Sequence, residues 1–246
     1  MNKIVRLLVT VFPAMSLVPS ALMDYVLNSD YERYVSALGE ARRINDEDER
    51  NREINKVIDN LRAHVEKLAQ AGQALNENDA KLVLLFARNL QRNYRGTQLE
   101  RLTNRQEEEY YLKLAADYGL PAAQFRLGKY YFDKMQYEEA FACFEAAAKQ
   151  HEPRAAFQLG WCYLNGWGTE PDNERAGQCW EQAAHLGNAE AALRLAAAYE
   201  SGVATPRAGE ISMRKAIKWY LKAAQGAHSE VRLQAQWALR RLGVHL

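Results

Sequence analysis

Little in this chain suits catalysis or cross-linking. Its three cysteines, Cys143, Cys162 and Cys179, are an odd number in 246 residues and form no C-x-x-C pair. That excludes the short-spaced ligand pairs of a zinc site. In an exported chain one disulfide with a thiol left over remains open; the alternative, and the expectation, is three small hydrophobes buried in helix seams. Neither sign of charge dominates: 32 Lys and Arg face 31 Asp and Glu, a net charge of +1. The basic excess that favours nucleic acid is therefore lacking, and no nucleic-acid partner is expected. Prolines number six, and the Ala, Leu, Glu, Arg and Gln vocabulary predicts an all-α protein.

Long apolar runs are also missing. Residues 7–18 are almost wholly apolar, but twelve residues fall short of the ~20 a membrane-spanning helix needs. No stable membrane insertion is expected. Lys3 and Arg6 precede this run, and Pro19, Ser20 and Ala21 follow it. A basic start, an apolar middle and small residues at the end are the layout of a secretory signal, here 1–21. The competing reading is a first amphipathic helix packed on the rest. Export predicts a periplasmic or secreted protein; the packed helix predicts a cytoplasmic one.

Catalytic constellations are absent as well. His64, His151, His185, His228 and His245 are dispersed, with no H-E-x-x-H pair. There is no G-x-S-x-G, Walker loop or G-x-G-x-x-G. The expectation is a non-catalytic protein with no cofactor and no metal site.

What is present is repetition. Ala-Ala pairs begin at Ala115, Ala147, Ala183 and Ala223, with spacings of 32, 36 and 40 residues. Eight residues after the start of each pair comes Ala123, Ala155, Ala191 or Val231. Periods of this length mark stacked helical hairpins, which must bury their apolar faces on one another. Ala123, Leu127 and Tyr131 match Ala155, Leu159 and Tyr163, then Ala191, Leu195 and Tyr199. Spacing i, i+4, i+8 makes each set one stripe of a first helix. In the second helix Ala140, Phe144 and Ala147 match Ala176, Trp180 and Ala183, then Ala216, Tyr220 and Ala223. Gly128 and Gly160 follow the leucines, where a missing side chain lets a helix come close. His151 is assigned the turn position held by Gly187 and Gly226.

Residues 22–104 read as a charged helical region, a candidate degenerate repeat capping the array, which then occupies 105–246. Ser29 to Glu32 and Thr103 to Gln106 have the form of capping boxes. Ile54, Val57, Ile58, Leu61, Val65 and Leu68 lie on one helical face. Asn76 to Asp79 predicts a helix start leading through Leu82, Leu85, Phe86 and Leu90. The cluster Asp46 to Arg50 reads as an exposed loop or a solvated helix start, without the spacing of a calcium loop.

Leu-Gly-x-x-Tyr, Asn165-Gly166-Trp167-Gly168 and the run Lys215 to Gly226 together resemble the Sel-1-like repeat, over roughly residues 105–242. The resemblance implies α/α hairpins stacked into a right-handed superhelical solenoid that binds proteins. The first unit has Lys134 where Gly166 and Gly202 stand in the others, and it fits a tetratricopeptide repeat equally well. The resemblance also implies that first helices line a concave surface. Off-stripe residues there are Arg126, Tyr130, Gln158, Trp161 and Arg194, with Gln234 and Trp237 in the last unit. Trp237 is assigned to packing, whereas Trp161 is open between packing and binding. Trp167, in its glycine-flanked loop, is expected to be exposed and therefore a partner contact. The candidate partner-binding set is Arg126, Tyr130, Gln158, Trp161, Trp167 and Arg194.

The functional expectation is a periplasmic protein-binding solenoid, such as an immunity protein that neutralises a toxic secreted effector enzyme. The alternatives are an envelope-assembly scaffold, a signalling adaptor, or a hydrolase of cell wall or β-lactam. The loops Asn165–Asn173 and Ser201–Glu210, where the hairpins lengthen, are further candidates for partner contact.

Overall fold

The computed structural model describes residues 20–70, 76–92, 98–207, 211–226 and 228–244. Of the leader-like segment 1–21, residues 1–19 lie outside them. Eleven α-helices and no strand occur among the described residues. The chain divides into two compact units between Arg105 and Gln106.

The first unit holds α1 (Ser20–Ala41), α2 (Glu47–Gln70), α3 (Glu77–Arg92) and the start of α4 (Gln98–Asp117). The α2 stripe is buried at Ile54, Ile58, Leu61 and Val65 and meets Leu38 of α1 and Leu82, Val83 and Phe86 of α3 in the core. The acidic cluster is a solvated helix start, with Asp46 accepting the backbone N–H of Glu49 at 2.7 Å. Asn76 opens α3: its Oδ1 accepts from Asn78 and Asp79, and Asp79 accepts the Asn76 N–H at 3.2 Å. The boxes expected at Ser29 and Thr103 are not helix starts, because α1 and α4 already run through both positions. A capping box works only where the backbone leaves helical geometry.

The second unit is a stack of hairpins: α5 (Pro121–Asp133) with α6 (Tyr137–Lys149), α7 (Pro153–Asn165) with α8 (Asn173–His185), and α9 (Ala189–Ser201) with α10 (Met213–Ala224). Helix α11 (Ser229–Arg241) packs on the last pair. The repeat stripes are buried as their spacing predicts, from Ala123 and Leu127 through Ala155 and Leu159 to Ala191, Leu195 and Tyr199. Phe144, Trp180 and Tyr220 are the aromatic knobs of the second helices. A Cβ on Gly128 would sit 2.7 Å from the Phe144 ring, and one on Gly160 only 2.4 Å from Trp180 Nε1. These two glycines therefore permit the helix contact.

Two recurring kinds of hydrogen bond explain why one connection is constant and the other grows. Between hairpins, Glu152 and Asn188 donate their N–H groups to Ala147 and Ala183, five residues back, at 3.1 and 2.9 Å. Within hairpins, the residue opening the second helix donates to the stripe tyrosine. Gln136 reaches Tyr131, Asp172 reaches Tyr163 and Ser212 reaches Tyr199, at 3.0, 2.8 and 2.9 Å. The same anchor closes all three loops, so extra residues bulge without moving the helices.

The turn assignment for His151 holds only in part. His151 and Gly187 share one place, both with left-handed backbone at φ 62° and 94°. Gly226 lies one residue earlier in the register, where a Cβ would meet that of Ala189 at 2.5 Å. It is there for space, not for its backbone angle.

Candidate functional site

The first helices α5, α7, α9 and α11 repeat one register, so equivalent side chains form rows across the stack. One row is Phe125, Phe157, Leu193 and Leu233. The first three are covered, at 8%, 6% and 8% exposure, whereas Leu233 is 63% exposed. The row above it contains Trp161 and Trp237. Trp161 is half-buried, edge-on to Trp180 at 5.4 Å, with Arg194 of α9 lying 5.3 Å from its centroid. Arg154 likewise lies over Phe125 at 4.6 Å. Each hairpin thus caps its predecessor's aromatic residue with an arginine, an interaction worth about 0.5–2 kcal/mol depending on desolvation.

Trp237 has no such cover. It is 66% exposed, and among the described residues only Arg241 of its own helix lies over the ring, at 5.3 Å. The assignment of Trp237 to packing is therefore overturned. A single register position yields packing in α7 and exposure in α11, because burial depends on what is stacked above.

Leu233 and Trp237 open onto a groove of about 740 Å³ between α9, α10 and α11. Arg194, Ala197, Tyr220 and Gln234 help line it. A smaller cleft of about 390 Å³ adjoins it toward Glu190 and Glu230 and shares Leu193, Arg194 and Gln234. At the far end Glu200 pairs with Arg241 and accepts the Tyr220 hydroxyl at 2.9 Å. Burial, reinforced by Glu200, pushes the Tyr220 hydroxyl up to about 12. Tyr220 therefore stays a neutral donor that fixes Glu200 in place.

The sequence-predicted residues fall into separate settings. Arg194 lines the groove. Arg126 and Gln158 stand half-buried at the equivalent places of α5 and α7. Tyr130 is buried, its hydroxyl donating to Glu109 Oε2 at 2.9 Å under the Lys134 ammonium. There Lys113 and Lys134 hold the Glu109 carboxyl down at about 2. This cluster ties α4 to α5. Trp167 is half-buried, not the exposed ring expected: it stands edge-on to Phe132 at 4.9 Å and stacks on Tyr137 at 6.0 Å. Its neighbour Gly168 lies where a Cβ would be 2.1 Å from the Tyr137 carbonyl oxygen. The longer loop after α9 does the same one unit on, with Ala204 and Thr205 buried against Gly177 of α8. In both lengthened loops these residues staple adjacent hairpins.

All three cysteines are free thiols, and burial raises them to about 11 for Cys143 and about 12 for Cys162 and Cys179. Among the described residues no group of three His, Cys, Asp or Glu could hold a metal ion, and no helix is long and apolar enough to cross a membrane.

The Sel1 repeat family model matches residues 121–151, 153–188 and 189–228, each a hairpin with its outgoing turn. The chain carries three consecutive Sel1 repeats. The first unit, which fits a tetratricopeptide repeat equally well by its spacing, is thereby a Sel1 repeat too. Among solved structures, a Sel1 repeat protein from Oxalobacter formigenes matches with a TM-score of 0.59 at 20% identity, over 79% of this chain and 77% of that one. A protective antigen of uropathogenic Escherichia coli strains with an SLR fold matches at 0.59 and 22% identity, over 74% of this chain and 37% of that one. These likenesses concern the fold. DAP3-binding cell death enhancer 1 of Rattus norvegicus is 34% identical over 104 residues, and its Mus musculus counterpart 35% over 97. The matches take in 42% and 39% of this chain, which spans about a fifth of the length of either relative. Residues 121–228 are thus built of Sel1 repeats, the unit of protein-interaction scaffolds.

Proposed function

We propose that the Sel1 array holds a segment of a partner protein in the groove between α9 and α11. The observation that carries this is the exposure of Leu233 and Trp237 at positions whose counterparts are covered in the internal repeats. A large apolar pair beside arginines is the composition of an interface anchor. Of the sequence-predicted residues, Arg194 is the anchor of this site. Arg126 and Gln158 extend its row along the array, while Tyr130, Trp161 and Trp167 support the scaffold beneath. Affinity for a purified partner, compared between the wild type and Trp237→Ala, tests the reading; an unchanged affinity overturns it.

We further propose that the protein works in the periplasm or is secreted, as an immunity protein against a secreted antibacterial effector. Lys3, Arg6, the apolar run 7–18 and Pro19-Ser20-Ala21 support export. The effector is the partner class suggested by the combination of leader and repeats. N-terminal sequencing of the protein from fractionated cells tests the first point, an intact Met1 opposing it. Rescue of cells from a neighbouring toxic gene tests the second. Without rescue, an envelope scaffold becomes the better reading.

A further inference from the structure

The near-neutral total conceals a division of charge. From Gly202 to Val244 the sequence has eight Arg and Lys against two Glu, whereas residues 121–201 have seven against eleven acids. The basic excess thus gathers on α10 and α11, the latter carrying the exposed Leu233 and Trp237. Arg214, Lys218, Arg232 and Arg240 are all exposed and, among the described residues, have no carboxylate partner. In the earlier hairpins Lys134, Lys149, Arg154 and Arg175 each have a carboxylate partner. The acids near the groove are themselves partly engaged. Glu200 is held by Arg241 and Tyr220, and Glu230 accepts from Gln234 at 3.3 Å.

We infer that the occupant of the α9–α11 groove is an acidic amphipathic helix of a partner protein. Its helical form follows from continuity with the internal interfaces. The row of Phe125, Phe157 and Leu193 is covered inside the array by stacked helical hairpins, and Leu233 continues that row. An apolar helix face laid on Leu233 and Trp237 repeats that packing. Its acidity follows from Arg232 and Arg240, exposed cations without a carboxylate partner among the described residues and on the same helix as Leu233 and Trp237, which favour a negative rim and speed association with it.

This inference rests on the groove reading, and the test separates the two. The full chain is titrated with a fluorescein-labelled ~18-residue amphipathic helical peptide of Leu, Ala and Glu, long enough to hold a helix. Companion probes have Lys in place of Glu, the same composition with the apolar stripe scattered, or are single-stranded DNA. The acidic helix is expected to bind at least about ten-fold more tightly than each companion, and to weaken about ten-fold in Leu233→Ala/Trp237→Ala and in Arg232→Glu/Arg240→Glu. Equal binding of the Lys helix or DNA, no binding of the acidic helix, or binding that survives Leu233→Ala/Trp237→Ala overturns the inference. So does sedimentation showing that the same face closes a dimer of this chain. If a purified natural partner loses affinity for Trp237→Ala while the acidic probe never binds, the groove reading stands and only the partner class fails.

Discussion

Arg194 lies 5.3 Å from the centroid of the Trp161 ring, one repeat away, and its counterpart above Trp237 is missing among the described residues. The two tryptophans share a register position but not an environment, and their substitutions are expected to differ accordingly. Trp161→Ala opens a gap against Trp180 and should cost about 3 kcal/mol in urea unfolding. Trp237→Ala should change stability by no more than about 0.5 kcal/mol. Equal losses would mean that Trp237 is packed in solution.

Gly168→Ala is expected to be more damaging than its size suggests. The added Cβ would come within 2.1 Å of the Tyr137 carbonyl oxygen, on a backbone at φ 72°. Overpacking and left-handed strain together predict a loss of about 3 kcal/mol. Gly119→Ala supplies the control, since its φ is 98° but nothing lies near the new Cβ; its loss should be about half as large or less. Equal unfolding midpoints for the two variants would show that the Trp167 loop is not stapled to α6.

His151→Gly should stabilise the protein by about 1 kcal/mol. His151 is exposed and holds φ 62° in the turn where Gly119 and Gly187 stand. A left-handed backbone costs a β-carbon-bearing residue roughly 1–2 kcal/mol, offset partly by the greater unfolded-chain freedom of glycine. A lower melting temperature for the variant would point to a role for the imidazole.

The Glu109 carboxyl is held down at about 2 by Lys113, Lys134 and Tyr130, against an ordinary value of 4.5. A carboxylate with a depressed folded value stabilises above 4.5, and that contribution is lost as pH falls from 4.5 toward 2. Glu109→Gln should therefore melt lower than the wild type at pH 7, with the gap closing across that window. A gap independent of pH would show that the carboxylate charge is not what ties α4 to α5.

Much of this was legible in the sequence because stripes are local. Ala155, Leu159 and Tyr163 declare a buried face through spacing alone, and Gly160 declares the close approach of Trp180. The site was less legible because burial across repeats is not local. Trp167 looks solvent-bound in its loop, yet its cover, Phe132 and Tyr137, belongs to the preceding hairpin. Trp237 looks like Trp161 until the stacking above each is known. Ser29 and Thr103 have the letters of capping boxes, but both helices already run through them. The charge division was countable all along, hidden by a sum of +1.

On the proposed function, a protein partner binds the exposed face of α11, with Arg194 beside it. The most direct measurement is the affinity of a purified partner for the wild type and for Trp237→Ala and Arg194→Ala, with melting temperatures recorded alongside. Each substitution is expected to weaken binding about ten-fold or more, with the Trp237→Ala melting temperature unchanged. Full affinity in both variants would contradict it.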